Sequence, residues 1–219
     1  MPVYTQQEFG KDFEQAQSLN QALYGQSHHT QTRRTTSAWN LYKNASEPAL
    51  GFHLFGRRIA SKDVTAFRSQ SGNAQATLPG ALVGLSYPEK CWANFKTVSD
   101  EGGKKGSLLD MTAWSLTVND SWVLGGIHAG LPFHAASPLT KANLLDASHV
   151  LTVTGRELLA MSIYGYKVRQ GHAALEMVMV CTDRARARGG SLVEIQASVA
   201  GCTKAAHVLE YYAKAGLKL

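Results

Sequence analysis

The chain has 219 residues, 44% apolar and 17% charged, with 22 Lys and Arg against 16 Asp and Glu for a net charge of +6. That mixture fills a globular core, and ordinary glycine and proline usage with three cysteines excludes collagen-like, low-complexity and disulfide-scaffold classes. No apolar run reaches the roughly 20 residues of a bilayer-spanning helix, and no apolar signal segment opens the chain, so a soluble cytoplasmic protein with no membrane partner is expected.

Residues 1–37 form a polar N-terminal segment holding seven of the eleven glutamines, with His28-His29 in its last third. Thr5 and Glu8 have the spacing of a capping box. They predict a helix over 6–23 with Phe9, Phe13, Ala16 and Leu23 on one stripe and Gly25 at its end, followed by a connector over 26–37. A globular domain is expected over 38–219. Trp39 and Leu41, then Phe52 and Leu54, alternate with polar neighbours and predict strands over 39–43 and 50–55, joined by the turn residues Asn44–Pro48. Ser61 suits the start of a helix through Phe67, residues 69–80 a loop, Glu89–Val98 a helix, and 100–107 a glycine and lysine loop.

The stretch Leu108–Ser137 is apolar yet rich in breakers, and is expected to fold as core strands joined by tight turns, one of them over 116–124. Ser137-Pro138 signals a helix over 138–147, a serine cap followed by proline where its missing N–H costs nothing. A strand over 149–153 then leads through a second capping box, Thr154 to Glu157, into a helix over 154–165. Leu175–Cys181 is an apolar run of strand length within 174–181, and Val193, Ile195, Ala197 and Val199 alternate as a strand over 191–199. A last helix over 203–215 stops at Gly216. The expected class is α+β or α/β, a single mixed-sheet domain with flanking helices and a polar N-terminal helical segment.

Several chemistries lack their residues. Neither CxxC nor HExxH occurs, so no metal site is expected. Gly102–Ser107 lacks the spacing of a phosphate loop, Gly84–Pro88 lacks the closing glycine of a nucleophile elbow, and no GxGxxG follows a strand, so no nucleotide cofactor is expected. Arg33-Arg34, Thr35-Thr36-Ser37 and Glu194-Ile195-Gln196 follow an order that faintly resembles ADP-ribosyltransferases, but Gln196 stands where the catalytic Glu belongs.

What remains is a central constellation: Asp120, His128, His134, Asp146 and His149, within thirty residues of glycine-rich or element-terminal sequence. Imidazoles titrate near neutrality and a carboxylate fixes their tautomer, so His128 and His134 fit acid/base work with His149 and Asp120 in support. The same histidines, set among apolar neighbours, also fit core positions with one hydrogen bond each. Gly125-Gly126 fits a backbone cradle for an anion or a tight turn. Arg184, Arg186 and Arg188 would point one way in an extended loop, a comb able to grip phosphates, whereas on a helix only Arg184 and Arg188 share a face. Smaller basic clusters are Arg33-Arg34, Arg57-Arg58 with Lys62, and Lys104-Lys105, and Cys91, Cys181 and Cys202 are expected to be buried thiols. The leading expectation is an enzyme acting on a phosphate-bearing substrate, nucleic acid or nucleotide, by histidine acid/base chemistry, of the kind a bacterial toxin or effector uses. The alternative is a non-catalytic effector, immunity or accessory protein that engages a protein partner through residues 1–37. Nucleic-acid binding without turnover is a third reading, with affinity falling steeply in salt.

Overall fold

The computed structural model describes residues 3–24, 31–46, 53–55, 115–135, 139–145, 151–170 and 177–219. The helices expected at 61–67 and 89–98, the loops at 69–80 and 100–107, Asp146 and His149 lie outside these residues, as do Cys91 and the basic residues at 57–62 and 104–105. Among the described residues helices dominate, around a small mixed sheet.

Helix α1 (Gln6–Tyr24) starts at the expected box: the Thr5 N–H donates to Glu8 Oε2 at 2.8 Å and the Glu8 N–H donates to Thr5 Oγ1 at 3.2 Å. Its stripe of Phe9, Phe13 and Ala16 is fully buried, so the segment is docked along its apolar face. Helix α2 (Gln31–Ala45) stands in place of the strand over 39–43 and of residues 31–37 of the expected connector, and runs across residues 37 and 38. Ala38, Leu41, Tyr42 and Ala45, at helical spacing, are all buried. The alternation of Trp39 and Leu41 was too short to tell a period of two from one of 3.6.

Strand β1 (His53–Phe55) precedes helix α3 (Leu116–Ala129), which stands where a strand over 116–124 was expected. Ser115 caps α3 by accepting the Val118 N–H, and Gly130, at φ 63°, ends it in the left-handed region that glycine adopts without strain. Every residue from Thr117 to His128 is buried, so α3 is the central helix, and being buried all round it carries no periodic signature. Its most extensive partner is α2.

After strand β2 (Phe133–Ala135) a short helix α4 (Lys141–Leu144) stands where a helix over 138–147 was expected. Of the strand expected over 149–153, the described residues 151–153 hold an antiparallel bridge, Leu145 to Leu151, before helix α5 (Val153–Ile163) begins. Thr152, not Thr154, caps α5 by accepting the Gly155 N–H, which places Arg156 and Glu157 inside the helix and facing the core. Strands β3 (Tyr166–Gln170) and β4 (Met177–Cys181) form an antiparallel pair. The sheet order is β1-β2-β4-β3, with β1 and β2 parallel and the other pairs antiparallel.

Helix α6 (Arg184–Arg188) follows β4, capped by Asp183, whose carboxylate accepts the Arg186 N–H. Helix α7 (Leu192–Gly201) is the third element expected as a strand. Its buried residues Leu192, Ile195, Gln196 and Val199 repeat at helical spacing, and Ile195 and Val199 belong to that stripe and to the period-two pattern alike. Helix α8 (Ala205–Lys214) buries Val208 and Tyr212 and is followed by Gly216 at φ 89°. Among the described residues no helix is long and apolar enough to cross a membrane. Cys181 and Cys202 are partly buried, less enclosed than expected.

Candidate functional site

His128 sits in the last turn of α3 with 3% of its surface exposed. Its Nε2 lies 3.0 Å from the Gly190 carbonyl, which can only accept, so Nε2 carries the proton. Nδ1 therefore accepts the Tyr42 hydroxyl at 2.8 Å, and the Tyr42 oxygen accepts the Tyr4 N–H at 3.1 Å. The Tyr4 ring meets the imidazole edge-on with centroids 5.1 Å apart, and its hydroxyl reaches Asp12 and the Gly190 carbonyl, both at 3.1 Å. Asp12 also accepts the N–H groups of Leu192 and Val193, capping α7 from α1. One chain of hydrogen bonds thus ties the N-terminal segment, α2, α3 and the start of α7 together. Burial first, and the Arg188 charge in addition, hold His128 at a pKa of about 4, so it is neutral at pH 7 with both nitrogens engaged.

His134 lies on β2 opposite Val178, and its side chain is outside the described set. Of the two imidazoles expected to act together, His128 is enclosed within the protein. A second buried histidine, His53, carried no signal in the sequence. Its Nε2 donates to the Ala45 carbonyl at 2.8 Å, its ring stands edge-on to Trp122 at 4.8 Å, and burial lowers its pKa to about 4.

Asp120 does not meet His128. Eight residues along α3 separate them by about 12 Å. Asp120 instead takes Arg156 of α5 in a fork, with Nε at 2.9 Å from Oδ1 and the terminal nitrogen at 2.7 Å from Oδ2, and accepts Gln196 Nε2 of α7 on Oδ2 at 2.5 Å. Beside this pair Asn119 Nδ2 donates to Glu157 Oε1 at 3.3 Å. All five side chains are essentially buried. Among the described residues Thr117 Oγ1, Asn119 Oδ1 and Gln196 Oε1 have no hydrogen-bond partner. The sequence pointed to Asp120 as a histidine's helper and to Glu157 as a cap. Their actual partners, 36 and 38 residues away on other helices, had no local signal.

Gly125-Gly126 is neither a turn nor an anion cradle: both lie mid-helix in α3, where their N–H groups belong to the helical ladder. A Cβ on Gly125 would fall 2.3 Å from the Tyr42 carbonyl oxygen, and one on Gly126 would fall 2.5 Å from His53 Cδ2 and 2.6 Å from Phe133 Cζ. The glycines are what lets α2 and β1 approach α3. Gly125→Ala is expected to destabilise the fold by about 1–3 kcal/mol through overpacking, read as a fall in urea midpoint at unchanged m. An unchanged midpoint would show the helices can separate freely.

The arginine triplet is helical, so the three-pronged comb is replaced by a face of two. Arg186 points away: it pairs with Glu194, donates to the Ile163 carbonyl at 3.1 Å, and stands 5.5 Å over the Tyr164 ring. Arg184 and Arg188, four residues apart, lie on the other face and are exposed, and among the described residues neither forms an ion pair. The Arg184 guanidinium lies against Gly130, at the carboxyl end of α3, where a positive charge is favoured. No group of three or more His, Cys, Asp or Glu side chains among the described residues converges as a metal site. Compared with family models, curated proteins and solved structures, the chain matches none.

Proposed function

We propose that the chain binds a phosphate-bearing partner, nucleic acid or nucleotide, through the Arg184 and Arg188 face and does not turn it over. The observation that carries this reading is that these two guanidiniums, at one helix spacing, are exposed and form no ion pair among the described residues, in a chain of net charge +6. Guanidiniums free of carboxylates keep their full donor forks for phosphate oxygens, whereas Arg186 has spent its fork inside the molecule. Against proton transfer by His128 stands its setting, with its two nitrogens engaged by Tyr42 and Gly190 and the ring neutral and enclosed at pH 7.

Binding of a short fluorescent DNA duplex, followed against salt, tests it. Each lost phosphate contact lowers the slope of log affinity against log salt by about 0.9, so Arg184→Ala/Arg188→Ala is expected to lower it by about 2. Arg186→Ala should leave the slope within about half a unit of wild type. An unchanged slope in the double variant, or no salt-dependent binding at all, sinks the reading. Cleavage of the duplex by the wild-type chain, abolished in His128→Gln, would return the protein to acid/base catalysis.

A further inference from the structure

Helices α7 and α8, joined by residues 202–204, splay to leave a groove of about 450 Å³ between them. Each helix lines it with residues at i, i+3, i+4 and i+7, the single face that a helix turns to a neighbour. The α7 side is low, built of Ala197, Ser198 and Gly201 with the Glu194 carboxylate at one end. The α8 side is tall and carries the Tyr211 ring beside the Glu210 carboxylate. Both carboxylates are held by the chain's own cations: Glu194 by Arg186, and Glu210 by Lys214 at 2.7 Å. Lys214 Nζ also lies 5.9 Å over the Tyr211 ring, so one ammonium is taken by a carboxylate and an aromatic face together. The Glu210–Lys214 pair is about two-thirds exposed on both sides and holds weakly against competition.

We infer that this groove seats a lysine or arginine side chain from a basic segment of a partner protein, with the Tyr211 ring and the Glu210 and Glu194 carboxylates as its recognising groups. The floor of small residues leaves room for the aliphatic stem, and Lys214 is the internal stand-in that the incoming cation displaces. This site is independent of the Arg184 and Arg188 face.

The test is a titration of the full chain with an acetylated, amidated Lys-Arg-Lys-Arg tetrapeptide, followed by amide chemical shifts. Shifts are expected to concentrate on residues 194–214. Removing the competitor in Lys214→Ala should tighten binding by about threefold, whereas Tyr211→Leu and Glu210→Gln should each weaken it by about threefold or more. A Cβ at Gly201 meets nothing within 4 Å, so Gly201→Phe should fill the groove without harming the fold and abolish binding. Shifts spread away from the groove, a Lys214→Ala variant that binds no tighter, or a folded Gly201→Phe variant that still binds would each overturn the inference.

Discussion

Asp120→Ala is expected to destabilise the folded chain by about 3–5 kcal/mol, the largest effect of any single polar substitution among the residues discussed. The Asp120 carboxylate takes the Arg156 fork with three hydrogen bonds, and both side chains are at most 3% exposed. Removing it takes the carboxylate from the fork of a buried guanidinium and withdraws the acceptor of Gln196 Nε2 as well, whereas an exposed pair would simply hydrate. Arg156→Met should cost a similar amount, because it leaves the Asp120 charge behind. The informative variant is the pair, Asp120→Leu with Arg156→Met. With both charges gone it should be far more stable than the sum of the single losses, a coupling energy of about 2 kcal/mol or more in a double-mutant cycle. Urea unfolding followed by tryptophan fluorescence measures all three. Single variants within about 1 kcal/mol of wild type would mean the pair is hydrated in solution. The network clamps α3, α5 and α7, so these losses should appear in stability, with binding through Arg184 and Arg188 kept wherever the chain remains folded.

Three of the local signals in the sequence match the structure. The Thr5–Glu8 box starts α1, Gly216 follows α8, and the apolar run through Cys181 forms β4. The three helices expected as strands share one physical cause. In α2 and α7 a few apolar residues satisfy both a two-residue and a 3.6-residue repeat, and in α3 burial on every side removes periodicity. Glycine had two meanings in α3: it was expected to break the chain, and it instead lets Tyr42, His53 and Phe133 approach. The candidate site divides the same way. The arginines were legible as a cluster because they are neighbours in sequence. Only the helix capped by Asp183 decides that two of them, Arg184 and Arg188, share a face. The partners of His128 and Asp120 come from four other segments, and no spacing within one element encodes that meeting.

The two buried histidines make acid the condition under which this fold should fail first. His53 and His128 have folded pKa values of about 4 against an ordinary value of about 6.5, each lowered mainly by burial. Between those values the unfolded chain binds more protons than the folded one, so stability rises with pH through the window. The contribution is fully present above about pH 6.5 and is lost as the pH falls toward 4, roughly 3 kcal/mol for each histidine. A charged His128 would also carry a proton on Nδ1 toward the Tyr42 oxygen, turning an acceptor into a second donor and displacing the Tyr42 hydroxyl proton that it now accepts. The exposed carboxyls of Glu8 and Glu210, lowered by their partners Thr5 and Lys214, act below about pH 4.5 and leave the upper part of the window to the histidines. Stability measured by urea titration between pH 4.5 and 6.5 should therefore climb by up to about 2.7 kcal/mol per pH unit in the wild-type chain, two protons' worth. In His128→Gln, whose amide does not titrate, the slope should fall to about 1.4 kcal/mol per unit. Equal slopes in the two proteins would mean that water reaches the imidazole and that burial does not hold it neutral.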